Sequence, residues 1–265
     1  MLDLFPLPTI FAHRGASNYA PENTLAAFEL ALRQGADAIE LDAQLCADGE
    51  VVIIHDHSVD RTTDGVGKVS LLTLSTLKQL DAGSFFDRAF QGERIPTLNE
   101  VFKALGKQIL VNIELKNNAS PLDKLPEKVA QIVLQHQMEE RVIFSSFNPV
   151  AVMKIKRLLP QTACGLLILP GLPGSLERVI IPWFVRFESL NPAMSSVTTG
   201  MIRKEHAARR RVFAYTANQA EDIRRLFELG VDGLFTDDPP LALQVLAEKR
   251  KTGLGQSDTP NRSDA

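Results

Sequence analysis

Ala38-Ile39-Glu40-Leu41-Asp42-Ala43-Gln44 decides the fold class. The alternation is that of a β-strand, so Ile39, Leu41 and Ala43 share one face while Glu40 and Asp42 share the other. The apolar face suits a covering layer of helices, which turns both carboxylates toward the interior of a closed barrel. Two anions buried side by side repel, and the usual remedy is a cation.

Working outward from this strand, short apolar or β-branched runs alternate with stretches of helical period, the pattern of βα units around a parallel sheet. Strands are expected at residues 9–12, 38–44, 109–114, 142–145, 163–169, 186–190, 212–216 and 233–235. Eight such strands point to a (β/α)8 TIM barrel, an α/β fold of roughly 250 residues, and the chain has 265. Asn23 or Thr24 can cap a helix with Leu25, Phe28 and Leu32 on one face that stops at Gly35. A second helix, about 219–229, carries Ile223, Leu226 and Phe227 and ends at Gly230. Residues 57–94 break the alternation with Asp, Gly, Thr and Ser, and are read as an insertion capping the barrel after its second strand. The domain is expected to span 1–251, with 252–265 a disordered tail lacking apolar anchors.

The composition narrows the function classes. A net charge of −3 gives no general attraction to nucleic acid or anionic lipid. The local runs Arg209-Arg210-Arg211 and Lys249-Arg250-Lys251 read as solvated helix ends. Cys46 and Cys164 have no metal or redox spacing, which fits a reducing compartment. Residues 1–8 lack the basic start of a secretory signal, and every apolar stretch is interrupted well short of about 18 residues. A cytoplasmic protein without stable membrane insertion is expected; nothing in the sequence specifies an oligomeric state. The run Val179-Ile180-Ile181-Pro182-Trp183-Phe184-Val185 is read as packing on the sheet, with an interfacial role as the alternative.

Three polar clusters fall at the carboxyl ends of expected strands, where such barrels place their chemistry. His13-Arg14-Gly15 follows the first strand. Glu40 and Asp42 lie on the second, and Asn112, Glu114 and Lys116 share one face of the third. Glu114 can complete a three-carboxylate site whose oxygens suit one divalent cation, Mg2+ or Ca2+, better than zinc. The alternative is simple ion pairing with Arg14 and Lys116. His55-Asp56 follows the apolar run Val51-Val52-Ile53-Ile54, so two histidines flank the carboxylates. That set matches phosphodiester cleavage, which needs positive charge on the phosphoryl oxygens and groups that take and give a proton. Gly65-Val66-Gly67-Lys68 fails as a phosphate loop because Val69 replaces the required Ser/Thr.

Taken in order, His13-Arg14-Gly15, Pro21-Glu22-Asn23-Thr24, Glu40-Leu41-Asp42, His55-Asp56, Arg61-Thr62-Thr63, Ile95-Pro96-Thr97-Leu98, Glu114-Leu115-Lys116 and Gly230-Val231-Asp232-Gly233 resemble the glycerophosphodiester phosphodiesterase family. The resemblance implies a metal-dependent enzyme that hydrolyses small-molecule glycerophosphodiesters, such as glycerophosphocholine or glycerophosphoethanolamine, to glycerol 3-phosphate and an alcohol. It implies catalytic histidines at His13 and His55, metal ligands at Glu40, Asp42 and Glu114, and phosphate contacts from Arg14 and Lys116. Tyr215 stands where the family commonly has tryptophan, and is expected to give a flat wall for substrate. A lysophospholipase D or sphingomyelinase-like activity on lipids, and a non-catalytic phosphate-binding role on the same barrel, remain as alternatives.

Overall fold

The computed structural model describes residues 2–171 and 184–255. Its strands are β1 (Thr9–Ala12), β2 (Ala38–Leu45), β3 (Val51–Ile53), β4 (Leu110–Leu115), β5 (Val142–Ser146), β6 (Ala163–Ile168), β7 (Ser189–Pro192), β8 (Arg211–Ala214) and β9 (Gly233–Thr236). All but β3 are parallel and close into an eight-stranded barrel, because β1 pairs with both β9 and β2. The described helices are α1 (Leu25–Arg33), α2 (Leu74–Leu77), α3 (Leu98–Leu105), α4 (Leu125–Gln135), α5 (Pro149–Leu158), α6 (Thr199–Ala207), α7 (Ala220–Leu229) and α8 (Pro239–Gly255). Apart from α2, which belongs to the insertion, their apolar stripes cover the outward faces of the strands, as Phe28 and Val101 do against Ile39 and Leu41 and Val245 does against Ile10.

The barrel interior is layered. At the amino-terminal end Phe11, Phe213 and Phe235 fill the bore with Leu2 and Phe5 beneath them, and Phe11 stacks on Phe235 at 4.6 Å between centroids. Each such ring buried contributes about 2 kcal/mol. Above this plug the inward residues turn polar: Asn112, Ser145, Ser189 and Asn191 are all buried. The carboxylates stand at the carboxyl end of the same bore. An apolar floor therefore sets the depth of the site.

The sixth barrel strand corrects the expectation of 186–190. β7 instead begins at Ser189, which pairs with Gly165 of β6. Its inward positions, Ser189 and Asn191, are polar, so the strand carries no apolar alternation. Phe187, which draws the pattern toward earlier residues, lies before the strand with the Arg210 guanidinium 4.7 Å from its ring centre. The basic runs divide: Arg209, just after α6, and Lys249 to Lys251, in the later turns of α8, are exposed, whereas Arg211 is no helix end but opens β8 and donates to the Phe5 carbonyl at 2.9 Å. α8 itself runs on to Gly255. Residues 256–265 of the expected tail and 179–183 of the Trp-Phe segment lie outside the described residues; Phe184 is exposed and Val185 buried.

Thr24, rather than Asn23, caps α1, accepting from Ala27 N. The run Val51-Val52-Ile53-Ile54 forms β3, which folds back antiparallel on β2 with Ile53 opposite Ala43. The insertion wraps this hairpin and shares a small core with it, including Val52, Ile54, Val59, Val69 and Leu77. The chain rejoins the barrel at α3, whose start is fixed by a Thr97–Glu100 capping box. Such a cap is worth about 1 kcal/mol. Burial pushes the Cys46 and Cys164 thiols up, to about 11 and about 12, so neither is a reactive thiolate.

Asp81 knots the far end of the insertion. Its carboxylate accepts from Gly83 N and Ser84 N at 2.8 Å and from Gly92 N at 2.9 Å. Gly83 is required there because a Cβ would collide with the Phe90 carbonyl. The Ser84, Gly83 and Gly92 amides hold the Asp81 carboxyl below the usual range. A depressed carboxylate stabilises the fold above its unfolded value, about 3.9, and that stabilisation fades as pH falls through the lower folded value. Asp81→Ala is expected to cost about 1–2 kcal/mol and to speed hydrogen exchange at Gly83, Ser84 and Gly92. Unchanged protection of those amides would exclude the knot as a stabilising element.

Candidate active site

Glu40, Asp42 and Glu114 meet because β2 and β4 are adjacent and in register, with Asp42 opposite Glu114. Each offers one oxygen, and the three oxygens lie within 4.8 Å of one another. At such separations two full charges repel by about 3 kcal/mol or more at an effective dielectric near 20. Burial, reinforced by Asp42 and Glu114, pushes the Glu40 carboxyl well above its ordinary range. Burial and Asp42 push Glu114 up as well. Burial acts the same way on Asp42, but Lys116 and Arg14, with His55, hold it below. Lys116 Nζ lies 3.1 Å from Glu114 and 3.5 Å from Asp42, and Arg14 Nε 3.4 Å from Asp42. Two cations against three carboxylates leave an uncompensated charge, and this crowded all-oxygen set fits a hard divalent cation.

The turn after β1 is shaped to serve these carboxylates. Arg14 and Asn23 both hold a φ of 58°, left-handed for non-glycine residues, and Asn23 N donates to the Arg14 carbonyl at 2.9 Å. This backbone aims Arg14 N at Glu40 Oε2, 2.9 Å away, and Asn23 Nδ2 at Asp42 Oδ2, 2.8 Å away. Gly15, with a φ of 85°, lies so close to α1 that a Cβ would sit 2.7 Å from the Ala27 backbone. No other residue fits that turn without moving the helix.

Each histidine is held by a carboxylate. His13 Nδ1 contacts Asp237 Oδ1 at 2.7 Å, and His55 Nδ1 contacts Asp56 Oδ1 at 2.6 Å. With Nδ1 so engaged, Nε2 is the ring nitrogen left to serve a ligand. Asp237 is itself positioned by Ser17 Oγ at 3.1 Å and Asn218 Nδ2 at 2.5 Å. Burial lowers the His55 pKa despite the opposing Asp42 charge.

Arg61 of the insertion joins the two halves of the site. Its Nε donates to Asp56 Oδ2 at 2.7 Å, and its terminal nitrogens donate to both Glu22 oxygens at 2.7 and 2.8 Å. Glu22 in turn accepts from Arg14 at 3.0 Å. One guanidinium thus lies behind both His55 and Arg14.

All eight residues singled out from the sequence fall in or against one cavity of about 290 Å3, whose lining includes His13, Arg14, Glu40, His55, Glu114, Lys116 and Tyr215. Asp42 lies just behind, bonded to the same cations. The Tyr215 ring meets Phe147 edge-on at 5.9 Å and its hydroxyl donates to the Ile168 carbonyl at 2.7 Å. With Leu167 and Phe235 these rings form an apolar wall opposite the carboxylates. Sequence reasoning leaves out Asp237, Asn218 and the roles of Glu22 and Arg61. For Asp237 a signal exists: it directly follows β9, the strand-end position that singles out His13.

Comparison with known proteins gives a consistent picture. The profile of the glycerophosphoryl diester phosphodiesterase family matches residues 13–241. A glycerophosphodiester phosphodiesterase of Caldanaerobacter subterraneus subsp. tengcongensis is 42% identical over 242 residues, 89% of this chain and 97% of the relative. One from Bacillus altitudinis is 35% identical over 91% of this chain and 99% of its own length. Among solved structures, an Oleispira antarctica phosphodiesterase in complex with the product sn-glycerol-3-phosphate superposes with a TM-score of 0.81 at 33% identity, covering 91% of this chain and 97% of that one.

Proposed function

The chain belongs to the glycerophosphoryl diester phosphodiesterase family, and from that premise we propose that His13 and His55 are the acid/base pair with which it hydrolyses small, water-soluble glycerophosphodiesters. The observation that carries this reading is the pair of carboxylate-anchored histidines beside the three-carboxylate cluster in one cavity. The protein is a phosphoric diester hydrolase, and its products are glycerol 3-phosphate and an alcohol.

The family uses a divalent metal, which Glu40, Asp42 and Glu114 would hold here, with Mg2+ or Ca2+ favoured by their oxygens. When bound, it supplies positive charge to offset that of the phosphoryl oxygens. Arg14 and Lys116 bind the same oxygens from the cleft wall. One histidine removes the proton of the attacking hydroxyl or water, and the other donates a proton to the alcohol oxygen as its bond to phosphorus breaks. Asp237 and Asp56 fix the ring orientation for both transfers. Phe147, Leu167, Tyr215 and Phe235 give the glycerol carbons an apolar surface and limit water there. The insertion, residues 57–94, serves as a partial cap on a single domain whose last helix runs to Gly255, past the boundary at 251 expected from the sequence.

A cavity of about 290 Å3 is at the small end of ligand sites, roughly 300–1,000 Å3, which favours a short polar diester. Among the described residues no helix is long and apolar enough to cross a membrane. The deciding comparison is kcat/KM for glycerophosphocholine against a lysophosphatidylcholine below its critical micelle concentration. The soluble diester is expected to be the better substrate by at least about tenfold. A clear preference for the lysolipid would instead assign lysophospholipase D activity.

Arg61→Ala is expected to lower kcat by about 10-fold or more, since it releases both Asp56 and Glu22. Its side chain is 46% exposed, so the ion pairs themselves contribute at most about 1 kcal/mol to stability. Arg61→Lys should restore little, because an ammonium lacks the fork that spans two carboxylates. Unchanged kcat in Arg61→Ala would show that His55 and Arg14 hold their positions without it.

A further inference from the structure

Resting on that reading of the site, we infer that a second cavity beside the catalytic cleft receives the alcohol arm of the diester and favours arms that carry a negative charge of their own. The cavity has a volume of about 350 Å3 and shares Lys116 with the cleft. Its place follows from strand register. Asp42 faces Glu114, so the next positions on that face, Gln44 and Lys116, form a sill one step beyond the carboxylates. Gln44 is locked there, its Nε2 donating to the Ile54, His55 and Asp56 carbonyls at 2.8, 3.1 and 2.8 Å and its Oε1 lying 3.2 Å from His57 Nδ1. The loop bearing His55 is therefore also a wall of the second cavity.

The direction of the substrate selects which arm lies there. The apolar wall of the cleft comes from the ends of β5, β6, β8 and β9, whereas the second cavity opens over β2 and β4. With the glycerol carbons on the apolar wall and the phosphoryl group at Arg14 and Lys116, the alcohol oxygen leaves past Lys116 toward the second cavity.

The lining states what that arm should be. Lys68, Ser70 and His57 come from the insertion side and Asn117 and Ser120 from the loop after β4. Lys68 is exposed and makes no ion pair among the described residues. Among the described residues the lining has one carboxylate, Asp123, whose Oδ1 accepts from Asn117 Nδ2 at 2.9 Å and Leu125 N at 3.0 Å. Among the described residues no phenylalanine, tyrosine or tryptophan lines the cavity, so these supply no ring face to hold a quaternary ammonium. A second anion, such as a further phosphodiester, finds the Lys68 ammonium and the Ser70 and Ser120 hydroxyls instead.

The test compares kcat/KM for bis(glycerophospho)glycerol, glycerophosphoglycerol and glycerophosphocholine in the wild type and in Lys68→Glu. The wild type should favour the first over the other two by about fivefold at low salt, and the preference should shrink as salt is added. Lys68→Glu should abolish or invert it while leaving glycerophosphoglycerol within about twofold of wild type. Equal treatment of the three arms by the wild type, or an equal fall for all three in the variant, would overturn the assignment. If none of the three is hydrolysed, the reading of the catalytic site fails first and takes this one with it.

Discussion

Alanine at His13 or His55 is expected to lower kcat by about 100-fold or more while leaving the fold intact. The size follows from proton transfer: an unassisted alcohol is a poor leaving group, and a positioned acid or base contributes roughly 100- to 10,000-fold. Both histidines are partly exposed, with side chains 21% and 32% accessible, so truncation removes little packing. The anchors give a graded control. Asp237→Asn and Asp56→Asn retain the rings but weaken the charge that orients them, and should cost less than loss of the histidine. In the wild type a bell-shaped pH profile is expected, as for any acid and base acting together. Near-normal kcat in either alanine variant would exclude that histidine from acid/base work.

Exhaustive chelation should abolish turnover, and restoring Mg2+ or Ca2+ should recover it. The same binding has a readout independent of catalysis. A cation at about 100 times its Kd adds about 2.7 kcal/mol to stability. For a domain of this size that raises Tm by about 5–10 °C. Glu114→Gln removes one ligand and should erase most of the shift. Glu40→Gln should do so too, yet raise the stability of the metal-free protein, because it relieves the repulsion that burial makes costly. Turnover persisting after chelation, with no metal found by elemental analysis, would refute a metal requirement. A Tm unmoved by either cation would remove the three carboxylates from the ligand role.

Residues whose roles are set by local period are legible in the sequence; those set by chain-distant contacts are not. Glu40, Asp42 and Glu114 show their shared faces through strand alternation alone, and register between neighbouring strands does the rest. The Asn23-Thr24 pair shows where local reasoning stops. Either residue can cap α1, and only the position of Asp42, 19 residues on, draws Asn23 away. β7 is hidden because a barrel interior that holds polar side chains has strands without apolar alternation, as Ser189 and Asn191 demonstrate. Arg61 lies in an insertion with no repeating period, and its partners Glu22 and Asp56 are separated by half the first βα unit and a hairpin. Even so, the clustering of polar residues at strand ends locates the site, because in a parallel barrel every such end opens on the same face.

The bond between His13 and Asp237 crosses 224 residues of sequence, and it sits on the seam where β1 meets β9. A nascent chain that has not yet reached its last strand leaves β1 without one neighbour and His13 without its carboxylate. Closure of the barrel and the anchoring of His13 are therefore completed by the same few residues, β9 and the turn after it. A product truncated before β9 has neither the closed seam nor the carboxylate behind His13.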